Sequence, residues 1–152
     1  MANIQIPYGV ITNAEISASA AIAASKAVHR DVATYGQDVG AVVATATRII
    51  RVARVAGAMK EFRVGWLTAP TGGDKAYTVD LKLSTGGGAF ATCLSAVVTV
   101  NNTKSDNGTA TGTLTTTAFA SGDILEVVVT TSGTTGTQGY GMIAEVFCEE
   151  GE

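Results

Sequence analysis

Histidine, cysteine, proline and tryptophan are almost missing from this chain: one His, two Cys, two Pro and one Trp in 152 residues. Each scarcity removes a class of chemistry. A metal-dependent sandwich enzyme needs clustered imidazole and carboxylate ligands, which one histidine cannot supply. That residue, His29, stands beside Arg30 and Asp31. It reads as a solvated or capping group, because a catalytic base needs a nucleophile or a second carboxylate within reach. Cys93 and Cys148 are far apart and belong to no paired-cysteine motif, so both read as reduced, strand-embedded thiols.

Charge is also sparse, at 15% of residues against the usual quarter. The net charge of -3 argues against a nucleic-acid partner, since phosphate contacts need a dense excess of Lys and Arg. The total conceals an asymmetry. Residues 1–63 carry seven basic and four acidic groups, whereas residues 64–152 carry three basic and nine acidic ones. Such a chain suits head-to-tail stacking or docking of a basic face on an acidic one. The opening residues Met1 to Pro7 lack the basic flank and apolar run of a secretory signal, and no stretch approaches the roughly 20 apolar residues that span a bilayer. The expectation is assembly in a reducing cytoplasm, with no membrane partner.

The glycine-rich pieces Thr71-Gly72-Gly73 and Thr85-Gly86-Gly87-Gly88 are not followed by the Lys-Ser/Thr of a phosphate loop, so they read as hairpin turns. Asp106-Asn107-Gly108 and Ser121-Gly122-Asp123 lack the carboxylate density of a calcium loop. No cofactor and no metal are expected, and the chain is read as a non-enzyme.

What the sequence has in quantity is Ala, Val, Thr and Gly, in two textures. In residues 11–28 the large residues Ile16, Ile22 and Val28 recur every six positions within one template, Asn13-Ala-Glu-Ile16, Ser19-Ala-Ala-Ile22 and Ser25-Lys-Ala-Val28. On a helix a step of six turns a side chain by about 240°, which scatters the three residues. On an extended chain six is even, and all three point one way. The spacing therefore predicts an extended arm over residues 1–40 that needs copies of itself or a partner to cover its apolar stripe. A short surface helix is the competing reading of the alanine-rich composition.

From Ala41 the pattern becomes strand and turn. Phe62, Val64 and Trp66 share one face of a strand over 59–67, and Tyr77, Val79, Leu81 and Leu83 alternate with Thr78, Asp80 and Lys82. Leu125, Val127 and Val129 oppose Ile124, Glu126 and Val128. Further strands are expected over 42–55, 90–100, 109–119 and 140–148. Seven or eight strands without helical segments between them predict an all-β antiparallel β-sandwich over 41–152, with jelly roll the leading topology. Arg48, Arg51 and Arg54, with Lys60 and Arg63 on the next strand, form a basic stripe that is the best candidate for a partner-facing surface. Tyr35 and Tyr140 are the aromatics that a glycan platform would use.

The arm Ile11-Thr-Asn-Ala-Glu-Ile-Ser-Ala-Ser-Ala-Ala-Ile-Ala-Ala-Ser-Lys26 resembles a segment near the start of tailed-phage fibre and capsid-decoration proteins. Phe119-Ala-Ser-Gly-Asp-Ile-Leu-Glu-Val-Val-Val129 is similar to the closing strands of trimeric jelly-roll domains in phage head fibres and cement proteins. The resemblance implies a homotrimer on the exterior of a virion, assembled in the host cytoplasm and seated on the major capsid protein. It makes Ile11, Ile16, Ile22 and Val28 the candidate oligomer or capsid contacts and carries over no catalytic residue. Fibre adhesins run longer with more repeats, which favours capsid decoration over the alternative, a receptor- or glycan-binding module of a tail or head fibre.

Overall fold

The computed structural model describes residues 29–151. Its ten strands are β1 (His29–Gly36), β2 (Ala46–Val52), β3 (Gly57–Trp66), β4 (Ala76–Ser84), β5 (Ala91–Thr92), β6 (Val98–Asn101), β7 (Gly108–Gly112), β8 (Ala118–Phe119), β9 (Ile124–Ser132) and β10 (Ile143–Glu150). Among the described residues there is no helix. The strands make two antiparallel sheets. One runs β1-β10-β3-β7 with β8 added to β3, and the other runs β2-β9-β4-β5 with β6 also paired to β4.

Period-two alternation decides which side of each central strand is buried. Tyr77, Val79, Leu81 and Leu83 of β4 and Leu125, Val127 and Val129 of β9 face inward from one sheet. Phe62, Val64 and Trp66 of β3 and Ala144, Val146 and Cys148 of β10 meet them from the other. Each large side chain removed from water contributes roughly 1.5–3 kcal/mol, and the two faces together form one continuous core. The all-β, two-sheet reading of the sequence holds, with the inward residues of β3, β4 and β9 as expected.

Four boundaries differ. β1 lies inside the 1–40 segment assigned to the arm and pairs along its whole length with β10, His29↔Glu150 to Gly36↔Ile143. The sandwich therefore begins no later than His29. The strand expected over 42–55 is a single bridge at Val42 followed by β2, because the loop 37–45 closes on itself through the Gln37 side chain, which bonds both the C=O and the N–H of Ala44. The strands expected over 90–100 and 109–119 are each broken in two. Cys93 and Leu94 turn into the core there, and the Cys93 carbonyl accepts the N–H of Thr115.

The connections cluster at two ends. At one end Asp74 accepts the N–H groups of Thr134 and Thr135 and the Thr135 hydroxyl, which holds its carboxyl down at about 2. Asp106 accepts the Ala69 N–H, and Asn102 donates to the Gly73 carbonyl. At the opposite end Asp123 accepts from Gly86 and Ala120, and Gly151 donates to Ala56. β1 begins and β10 finishes at this second end.

Two buried side-chain atoms among the described residues are unsatisfied, Nε of Arg51 and the hydroxyl of Tyr77 in the core. Burial pushes the Tyr77 phenol pKa upward. An orphaned buried polar group costs about 1–3 kcal/mol. Tyr77→Phe is therefore expected to raise the urea midpoint, by a stabilisation of about 1 kcal/mol. A lowered midpoint would show that the hydroxyl has a partner, such as a bound water.

Candidate functional site

The side of the molecule where β1 and β2 form the free edges of their sheets differs from the rest. None of the seven residues of β2 is buried, and of β1 only Ala33 is. Among the described residues, six of the ten exposed large hydrophobics, Val32, Val39, Val42, Ile49, Val52 and Val55, fall in residues 32–55. These side chains leave apolar surface exposed on both edge strands and on the loops beside them.

Within this region β2 carries a bulge. Ile49 pairs with Glu126 and Arg51 with Leu125, so Ile50 is the extra residue. A bulge shifts the phase of alternation, and here it gives Arg51 the inward phase of Leu125. Arg51 donates from Nη1 to Asp31 Oδ2 at 2.6 Å and from Nη2 to Glu150 Oε1. Its guanidinium lies 5.9 Å from the centroid of the Phe119 ring, within range of a cation–π contact. The side chain is 9% exposed and that of Glu150 10%, whereas Asp31 is 47% exposed. The Arg51 hydrogen bond holds the Asp31 carboxyl below its ordinary value. A gap of about 580 Å³ between the two sheet edges is lined by His29, Asp31, Ile50, Arg51, Arg54 and Glu150, among others.

Beside it, the outer face of the β1-β10-β3 sheet carries a shallow groove of about 730 Å³. The cross-strand pair Val32 and Phe147 lies at its floor. Glu149 is gripped by Arg30 Nε at 3.1 Å and Lys60 Nζ at 2.9 Å, and chiefly the Lys60 contact lowers its pKa. Lys60 reaches this position through a second bulge, where Glu61 and Met59 pair with the consecutive residues Phe147 and Cys148.

The predicted basic stripe is thus divided. Lys60 and Arg63 belong to one sheet, and Arg63 pairs with Glu61 at 2.7 Å. Arg48 and Arg51 belong to the other sheet, and Arg54 follows it. Arg51 is turned inward, so of these five residues only Arg48 and Arg54 stand exposed without an ion pair. Tyr35 and Tyr140 are half-buried: the Tyr35 hydroxyl accepts from Gln37, and the Tyr140 backbone bridges Val42 and Thr68. Ile11, Ile16, Ile22 and Val28 lie outside the described residues.

The arrangement offers surfaces of mixed charge around apolar floors. Among the described residues no three His, Cys, Asp or Glu side chains converge on a point. Burial pushes the Cys93 thiol up to about 11, which keeps it protonated and unreactive near neutral pH. The Asp31–Arg51–Glu150 cluster escaped the sequence reading, although one signal was present: an arginine inside the apolar run Ile49-Ile50-Arg51-Val52-Ala53. No protein family, no curated protein and no solved structure matches this chain.

Proposed function

We propose that this chain is a homotrimeric capsid decoration, or cement, protein of a tailed phage, which sits on the outside of the head and stabilises it by bridging capsomers. The observation that carries the reading is strand order. A sandwich in which the first described strand neighbours the last, β1-β10-β3-β7, opposite a sheet in which the second neighbours the ninth, β2-β9-β4 with β5 and β6, supports reading the path as the double Greek key of a jelly roll, an architecture that virus shells use. The apolar exposure of residues 32–55 and the six-residue repeat of the preceding segment add two surfaces that need covering.

In this reading the second end of the sandwich, where β1 starts, faces the major capsid protein, and residues Ile11, Ile16, Ile22 and Val28 make the trimer or shell contacts. The loop end held by Asp74 and Asp106 points outward. Full-length protein is expected to run as a trimer in light scattering and to co-sediment with heads of its source virus at a copy number divisible by three. Deleting residues 1–28 is expected to abolish co-sedimentation while leaving the sandwich folded by circular dichroism. Retained shell binding by the truncated protein, or a monomeric full-length chain, rejects the proposal. Binding to host-cell glycans without shell binding points instead to a receptor-binding module of a fibre.

A further inference from the structure

The core contacts of this sandwich are unevenly shared. β3, β4, β9 and β10 bury alternate side chains along most of their length, whereas β1 and β2 bury Ala33 and nothing else completely. Ile50 and Tyr35 add only partial contact with the core. Strands with few buried apolar groups open locally at low free energy. Apart from its ladders to β10 and β9, this side is held at the surface by the Arg30–Glu149 pair and the Thr45–Thr131 hydrogen bonds, and its buried charged fastening is the guanidinium of Arg51. It joins Asp31 of β1, its own strand β2 and Glu150 of β10 in a nearly water-free position.

We infer that the Asp31–Arg51–Glu150 cluster is an acid-sensitive strap, which closes the open side of the sandwich at neutral pH and releases β1 and β2 as a unit when its carboxylates are protonated. A protonated carboxylic acid no longer offers the charge that offsets the burial of the guanidinium, and a buried cation without a counter-charge is strongly disfavoured. The surrounding groups give little relief. β1 presents His29 and Arg30, and Arg54 follows β2. β10 presents Cys148 and Glu149, with Glu149 already held by Arg30 and by Lys60 of β3. From β8 only the Phe119 ring packs on the guanidinium. The gap between the edges, lined by these same residues, gives water a way in.

The sign follows from linkage. Because the folded Asp31 carboxyl titrates below its ordinary value, its stabilisation is complete above the unfolded value, near 4, and disappears as pH falls through the folded one. The direct test is amide hydrogen exchange on the full chain between pH 7 and pH 3, corrected for intrinsic rates. Protection in β1 and β2 is expected to fall at least about 10-fold relative to β4 and β9 across the acid range. In Glu150→Gln, and separately in Asp31→Asn should the first variant fold poorly, protection of β1 and β2 is expected to be low already at pH 7 and largely independent of pH. Equal loss in all strands would mean global unfolding, and full protection of β1 at pH 3 would mean no release. Either result overturns the strap, as does a variant that keeps the wild-type pH profile. None of these outcomes depends on shell binding.

Discussion

Replacing Arg51 by alanine lowers the unfolding free energy by about 3 kcal/mol, whereas replacing Arg63 by alanine changes it by less than about 1 kcal/mol. Both arginines form ion pairs, at 2.6 Å and 2.7 Å for their longest-reaching contacts to Asp31 and Glu61, so distance does not separate them. Burial does. The Arg63 side chain is 45% exposed, and water screens its pair with Glu61. Arg51 is 9% exposed and faces two carboxylates, one of them equally enclosed. Its removal leaves Glu150 buried without a counter-charge and strips a cation from the Phe119 ring. The figure is set at the low end for buried pairs because Asp31 is half-exposed and can be resolvated. Urea denaturation at pH 7 measures both variants. The gap between wild type and Arg51→Ala is expected to narrow below about pH 4, where protonation already removes part of the wild-type contribution. Equal losses for Arg51→Ala and Arg63→Ala would show that the cluster is no more than a surface pair.

The same arginine marks where the sequence stops being readable. In β4, alternation of large apolar and polar residues names the inward face correctly, and in β9 the run Leu125, Val127 and Val129 does so beside a mixed opposite face, because a central strand leaves little freedom of phase. Edge strands carry no such record. β1 has one buried residue in eight, so its sequence shows no hydrophobic period and merges with the arm before it. In β2 the inserted Ile50 shifts the phase halfway, so Arg51 takes the inward phase of Leu125 that an unbroken alternation assigns to Ile50. The counter-charges at Asp31 and Glu150 lie 20 and 99 positions from Arg51, and no local pattern links them. They meet only because the first and last described strands are neighbours, which is a property of the topology. The short pairs β5 and β8 fail for a related reason: two residues are too few for any period. The two halves of the chain with opposite charge bias do meet in the fold, since β1 and β2 bring Arg30 and Arg51 to Glu149 and Glu150 of β10. Part of the charge asymmetry is thus neutralised within the chain, and Arg48 and Arg54 are what is left of it for a partner.

Phe62→Ala is expected to cost about 3–5 kcal/mol, and the cost is expected to fall by more than 1 kcal/mol when Gly112 is changed to alanine in the same protein. Phe62 is fully buried on β3 between Val146 of β10 and Gly112 of β7. Gly112 is the partner that lets the ring fit. A methyl group there would stand 2.9 Å from the Phe62 ring and 3.1 Å from a Leu94 methyl, closer than carbon atoms rest against each other. Gly112→Ala alone is therefore overpacked and destabilising by about 1–3 kcal/mol. That loss is only partly offset by the reduced freedom of the unfolded chain. Once the ring is gone the clash is gone too, the new methyl fills part of the cavity, and Leu94 has room to move. The residue at 112 then changes from a liability to a contribution. Urea unfolding of wild type, both single variants and the double variant measures the coupling directly. Additivity within about 0.5 kcal/mol would mean that the backbone of β7 yields to the methyl group. Strong coupling would mean that β3 and β7 are held at a fixed separation, as expected if Phe62 must fill the space between two sheets whose spacing is set by the core.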